Sequence, residues 1–134
     1  MTIDKIILIA SSVIKNSTKV LLLQRGDDSS YPNHWQLPEG KLEEGEILAI
    51  ALKREIKEEI GGEVSSLKFQ TVFYTDLEAK GQQYLAIRAI FKAKLKSNEI
   101  KLSHEHKNYR WFSKKEALNL PLLPGIKEVL EKLA

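Results

Sequence analysis

The chain has 134 residues and a formal net charge of +3, with 43% hydrophobic and 29% charged residues, the balance of an ordinary globular fold able to bury a core. It contains no cysteine, which excludes disulfides, thiolate metal sites and a cysteine nucleophile, and fits a reducing cytoplasm. The longest early apolar run, Ile6 to Ala10, is too short to span a bilayer and follows Asp4 and Lys5, so neither a membrane anchor nor a secretory signal is expected.

In chain order, Ile6–Ile14 and Val20–Arg25 read as β-strands, separated by the turn residues Lys15-Asn16-Ser17-Thr18. Tyr31-Pro32-Asn33 and Pro38-Glu39-Gly40 punctuate loops. From Glu46 to Ile60 there is neither proline nor glycine and helix formers dominate, until Gly61-Gly62 stops the element. Leu67, Phe69, Thr71 and Phe73 alternate with Lys68, Gln70 and Val72 as a strand. Leu85, Ile87, Ala89, Phe91, Ala93 and Leu95 form a second period-2 face against Arg88, Lys92 and Lys94. Tyr109–Phe112 is a short strand, Ser113 to Glu116 has the form of a capping box, and Pro124-Gly125 precedes the helical stripe Ile126, Val129, Leu130, Leu133. With no repeat or linker, residues 1–134 read as a single domain: a mixed sheet with helices against it, class α+β or α/β.

Charge is unevenly spread. Glu39 to Glu59 holds seven acidic and four basic residues, net −3, leaving +6 on the remainder. On a helix, Glu55, Glu58 and Glu59 fall within about 100° of arc, beside an apolar arc of Ala49, Leu52, Ile56 and Ile60. Ionised carboxylates so close repel one another, by about 0.2–0.5 kcal/mol for an exposed i, i+4 pair and more when partly buried. A hard dication such as Mg²⁺, with Mn²⁺ as a substitute, removes that repulsion and prefers such oxygens. Carboxylates alone equally describe a solvated helix paired with Lys53, Arg54 and Lys57.

The spacing of the segment from Gly40 to Gly62, GKLEEGEILAIALKREIKEEIGG, is more specific. It reads G-x5-E-x7-R-E-I-x-E-E-x-G, with Gly40, Glu46, Arg54, Glu55, Ile56, Glu58, Glu59 and Gly61 at the defining places. This resembles the Nudix box at every one of these positions. Two departures stand out: the box usually ends in a bulky apolar residue where this chain has Gly62, and the residue before the box, often glycine, is Glu39. The first is expected to loosen the helix end, the second to alter the local charge.

The resemblance implies an α/β/α sandwich and a Mg²⁺-dependent hydrolase of a nucleoside diphosphate linked to another moiety, MutT-like in class. It implies Glu58 and Glu59 as main metal ligands beside the backbone carbonyl of Glu39, with Glu55 a further ligand or the group that deprotonates water. Arg54 would hold the box carboxylates in place, with Glu46 as its partner. Arg25 lies where many relatives place a phosphate-contacting arginine, and Trp35-Gln36-Leu37-Pro38 resembles the family's approach to the box, Trp35 being read as packing. The segment from Leu102 to Trp111 resembles that of asymmetric diadenosine tetraphosphate hydrolases. It offers Glu105 as a further catalytic glutamate, Tyr109 to stack on a base, His104 and His106 as solvated loop histidines and Trp111 as core. The alternatives left open are a nucleoside triphosphate or a dinucleoside polyphosphate as substrate, Glu55 or Glu105 as base, and monomer or homodimer. A non-catalytic Nudix module for nucleotide sensing or nucleic-acid binding is the rival, although no arginine-rich run supports nucleic acid.

Overall fold

The computed structural model describes residues 2–134. Strand β1 (Lys5–Asn16) turns into β2 (Lys19–Arg25) through Ser17-Thr18, with Ser17 at φ 58. Two short strands follow, β3 (Trp35–Gln36) and β4 (Glu39–Lys41), in a stretch where composition showed only loop punctuation. Helix α1 spans Leu48–Ile60. A long antiparallel hairpin comes next, β5 (Val64–Ala79) and β6 (Gln82–Leu95), then β7 (His106–Ser113), α2 (Lys114–Leu118) and α3 (Ile126–Leu133).

Strands β3-β2-β1-β6-β5 lie in that order, with β7 paired to β2 and β4 to β1. The sheet is mixed because β1 runs parallel to β6, from Lys5 opposite Tyr84 to Ile14 opposite Ala93, while the other pairings are antiparallel. A parallel pair cannot close through a tight turn, so the chain between β1 and β6 carries α1 across the sheet. The β5–β6 strands overrun the segments expected from sequence, joined at Lys80-Gly81 with φ 53 and 73. Positive φ at both central residues gives a turn whose twist matches its strands.

Alternation along the strands divides the core in two. Ala10, Ile14, Leu21, Leu23, Ala89, Phe91 and Ala93 face α1 and bury Ala51, Leu52, Ile56 and Ile60. On the opposite face Val13, Val20, Leu22, Ile90 and Phe112 pack with Trp35 against Ala117 of α2 and Ile126, Val129 and Leu130 of α3. Each such fully buried aliphatic side chain contributes about 1.5–3 kcal/mol relative to exposure, which holds both helical layers on the sheet. Trp35 and Phe112 meet edge to face, 5.0 Å apart, so Trp35 is a core residue.

The start of α1 differs from expectation, and its end at Gly61 falls where expected. The helix begins at Leu48 after an extended Ile47 (φ −90, ψ 155), so Glu46 stands in the preceding loop. At the other end Gly61 takes φ 67 and its N–H donates to Lys57 O at 3.0 Å, a left-handed cap. Gly62 does not loosen that end. It is buried, and a Cβ there would stand 3.2 Å from Leu95 Cδ2, so Leu95 of β6 fills the space of a bulky box-terminal residue. Among the described residues no helix is long and apolar enough to cross a membrane.

Candidate active site

Glu59 shares the inward face of α1 with Leu52, Ile56 and Ile60, and its side chain is only 6% exposed. Its Oε1 accepts the backbone N–H of Glu39 at 2.9 Å. That bond follows from strand register. Ser12 N donates to Pro38 O at 3.1 Å and Leu42 N to Leu8 O at 3.0 Å, so with Ser11 opposite Glu39 the latter is a non-hydrogen-bonded position. The Glu39 N–H and C=O therefore both point away from β1, toward the end of α1 that carries Glu59.

The side chain of Glu39 turns the other way, into the sheet. Its Oε1 accepts from Ser11 Oγ at 2.7 Å and from Arg88 Nε at 3.0 Å, and its Oε2 accepts from Arg88 Nη2 at 3.2 Å. Both partners are buried, with side-chain exposures of 1% for Arg88 and 5% for Glu39. The added charge of Glu39 is thus matched at once by a guanidinium fork.

Arg54 gathers the outer carboxylates. Its Nε and Nη2 hold Glu46 at 2.7 and 2.9 Å, while Nη1 donates to Glu55 Oε1 at 2.7 Å and to Glu58 Oε2 at 3.3 Å. Nη2 also reaches Lys41 O at 3.3 Å. Glu55 lies directly over Gly40, where any Cβ would collide with its carboxyl group. Glycine at position 40 is required by close approach, not by a special φ.

These contacts set the proton affinities. Burial pushes the Glu59 carboxyl well above its ordinary value; the charge of Glu55, and then those of Glu39 and Glu105, act the same way, and the Glu39 N–H opposes them. Burial also raises Glu55, against Arg54, with Glu58 and Glu105 adding to the rise. Glu46 is lowered by its bond from Arg54, and Arg54 is held above its ordinary value chiefly by Glu46. Inward of the Arg54 cluster, then, Glu55 and Glu59 crowd negative charge where water does not screen it. An all-oxygen donor set that destabilises its own ionised form fits a hard divalent cation.

These groups line a cleft of about 930 Å³. Glu39, Gly40, Glu55, Glu59 and Glu105 form its acidic wall, and Arg25 and Tyr31 lie in it as well. Arg25 donates to Ser30 O at 2.7 Å and to Gln36 Oε1 at 2.5 Å. Burial lowers its proton affinity, and the charges of Glu39 and Glu59 restore part of it. Its guanidinium is thus held in the cleft by Ser30 and Gln36, within the field of the two carboxylates.

The model of the NUDIX domain matches residues 7–133 of the chain. The chain belongs to the Nudix hydrolases. It is similar to the nucleoside triphosphatase NudI of Escherichia coli, 28% identical over 91% of this chain and 92% of that protein. Among solved structures it is similar to a MutT NUDIX hydrolase from Burkholderia pseudomallei, with TM-score 0.80 and 25% identity over 96% and 98% of the two chains. It also resembles a C. elegans Ap4A hydrolase in a binary complex, with TM-score 0.72 and 28% identity over 94% and 93%. The mixed sheet between helices is the Nudix fold.

Within this Nudix hydrolase the structure brings Arg25, Glu39, Gly40, Glu55, Glu59 and Glu105 to one cleft, which Glu46, Arg54, Glu58, Gly61 and Tyr109 do not line. Glu58 is 59% exposed and turned toward Arg54, so the three box carboxylates do not converge; among the described residues no three acidic or histidine side chains form a ready ligand cluster. Tyr109 stands opposite Leu23 on β7 and, two residues from Trp111, shares its face and packs with the α1-side core. The aromatic rings in the cleft are Tyr31 and Tyr84 instead, and Tyr31 is fixed by its hydroxyl, which donates to Glu78 O at 2.7 Å.

His106 is another correction. It is buried, its Nε2 lies 3.7 Å from Glu59 Oε2 and its Nδ1 has no partner; burial, then Arg25, lowers its proton affinity. His104 is exposed at the cleft rim as expected, and Trp111 packs half-buried on the α1-side core. Arg88 was missed by sequence reading, where it stood on the polar side of β6. Its flanks Ala86 and Ile90 share its face and are themselves fully buried. An arginine between two apolar same-face neighbours in a strand apolar on both faces is the signal by which it could have been found.

Proposed function

We propose that this Nudix hydrolase is a Mg²⁺-dependent pyrophosphohydrolase of a nucleoside triphosphate or a dinucleoside polyphosphate, acting as one catalytic domain. One observation carries the reading. Glu59 is buried among carboxylates that raise its proton affinity, in the same cleft as Arg25. Glu59, Glu55 and the carbonyl of Glu39 would hold the cation, or Mn²⁺ in its place. Glu58 would join by leaving Arg54, a weak exchange for a group so exposed. The chemistry such an ion supplies is charge stabilisation at the phosphate oxygens and a more acidic water.

The chain's own groups do the rest. Arg25 binds the polyphosphate by its guanidinium fork. Glu55 or Glu105 accepts the proton of the attacking water as its oxygen bonds to phosphorus and the P–O anhydride bond breaks, the electron pair leaving on the departing phosphate. Arg54 does not touch the reacting atoms; braced by Glu46, it fixes Glu55 by a direct hydrogen bond. A base rests near Tyr31 and Tyr84, not on Tyr109. From a triphosphate the products are a monophosphate and pyrophosphate, and from a dinucleoside tetraphosphate a tri- and a monophosphate. Nucleic acid and membrane have no part in the reading, which places the enzyme in a reducing cytoplasm as a monomer or homodimer.

The test is a panel of normal and oxidised triphosphates, dinucleoside polyphosphates, nucleotide sugars and coenzymes, assayed with and without Mg²⁺ and with products resolved by chromatography. Turnover of a polyphosphate that needs Mg²⁺ and is lost in Glu59→Gln supports the proposal. Nucleotide binding without turnover of any compound at any Mg²⁺ concentration overturns it in favour of a non-catalytic module.

A further inference from the structure

Resting on that reading of the carboxylate site, we propose that Arg88 and Glu39 act as a positioning couple that aims the Glu39 backbone carbonyl at the cation. Glu39 occupies a place where a glycine would leave the peptide free to rotate. Here the residue is held from three directions. Its N–H is bound by Glu59 at 2.9 Å, its carboxylate by Ser11 Oγ at 2.7 Å and by two nitrogens of Arg88 at 3.0 and 3.2 Å. The preceding Pro38 carbonyl accepts from both Ser12 N at 3.1 Å and Ser12 Oγ at 2.7 Å. The Pro38–Glu39 peptide is thereby held at both its carbonyl and its N–H, and with Gly40 opposite Ala10 in the ladder the Glu39 carbonyl points away from β1, to the side on which Glu59 stands.

Arg88 is itself anchored at its far end, where Nη1 donates to Pro124 O at 2.9 Å. That approach exists only because residue 125 is glycine: at its φ of +94 a Cβ would overlap both Arg88 Nη1 and Thr75 Oγ1. The guanidinium therefore ties the segment before α3 through the sheet to the cation-facing peptide of β4. A guanidinium and a carboxylate buried to this degree are costly to leave unpaired, so neither can relax without the other. Groups that orient a metal ligand in this way change affinity by about 10–100-fold when they are removed.

The experiment compares Arg88→Lys and the double variant Glu39→Gln/Arg88→Met with the parent protein. The lysine keeps one charge but loses the fork; the double variant removes both charges while leaving Ser11 an acceptor. Two readouts are taken on each: the melting temperature in EDTA, and Mn²⁺ affinity from the free-ion electron paramagnetic resonance signal. Both variants are expected to melt cooperatively and to bind Mn²⁺ about 10-fold or more weakly, with a fall in kcat larger than any rise in KM. Variants that melt cooperatively and bind Mn²⁺ within two-fold of the parent overturn the proposal. So does loss of folding in both, since the couple would then serve the fold and not the carbonyl. Parent protein and Glu59→Gln run alongside: if the parent takes up no Mn²⁺, or Glu59→Gln binds as well as the parent, the carboxylate site has failed and not the couple.

Discussion

Glu59 illustrates how one residue can be both the liability and the purpose of a site. Its carboxyl is buried and its proton affinity is raised by that burial and by Glu55, so it titrates higher in the folded chain than in the unfolded one, where 4.5 is the ordinary value. The folded state then holds the proton more tightly. This contribution to stability is complete below the unfolded value and is lost as pH rises through the folded one. Metal-free protein should accordingly melt higher at about pH 5 than at about pH 8, and Glu59→Gln should flatten that slope, by differential scanning calorimetry in EDTA. Glu46, lowered by Arg54, has the opposite sign but loses its contribution only below its ordinary value; His106, lowered from 6.5 by burial, opposes Glu59 inside this window, so the difference between parent and Glu59→Gln is the slope that counts. Gly40 offers a second test at this scale. Since an added Cβ meets the mobile carboxyl end of Glu55 and not backbone, Gly40→Ala should barely change stability. By displacing that carboxylate it should lower kcat by about 10–100-fold, measured on the best substrate of the panel.

Elements place these residues by where they begin and end. The box helix was legible in sequence as a run of helix formers, yet it begins at Leu48 and not Glu46, because Ile47 is extended and Glu46 is drawn out to meet Arg54. Propensity does not register a side chain eight residues away. The capping box was fully legible: Ser113 Oγ accepts from Glu116 N at 3.2 Å and Glu116 Oε1 accepts from Ser113 N at 2.9 Å. Both partners lie within one turn, so no tertiary context is needed. Ser113→Ala should cost about 1 kcal/mol in urea unfolding, since α2 is short and packs Ala117 into the core beside α3. Strand ends were the least legible, and β7 shows the consequence. It extends back to His106, which is buried, and its register opposite Leu23 and Leu21 puts Tyr109 with Trp111 on the core face.

At the scale of the whole molecule the two core layers converge on one cleft. α1 supplies Glu55 and Glu59, β4 supplies Glu39 and Gly40, the end of β2 supplies Arg25, and the chain entering β7 brings Glu105. Because these parts come from a helix and strands far apart in the chain, a cation held by the carboxylates binds the folded chain and not the unfolded one. Millimolar Mg²⁺ should therefore raise the melting temperature, by an amount that grows with the logarithm of its concentration above the dissociation constant and is equivalent to about 2.7 kcal/mol at a hundred times that constant. Calorimetry with and without EDTA checks this, and Glu59→Gln should abolish the shift. The packing behind the site is as continuous: Leu130 of α3 is fully buried, and Leu130→Ala should cost about 2–5 kcal/mol in urea.

The sequence by itself determined the family, the mixed sheet with its helices, and the candidate carboxylates, since a box of spaced residues and period-2 or helical stripes are written along the chain. Only the tertiary structure decided which of those groups share a cleft. It turned Glu58 out and Tyr109 in toward the core, buried His106, and brought Arg88 from a distant strand onto Glu39. The physical reason is that register and strand length depend on pairing partners far apart in sequence. A slip of one residue in either moves a side chain to the opposite face.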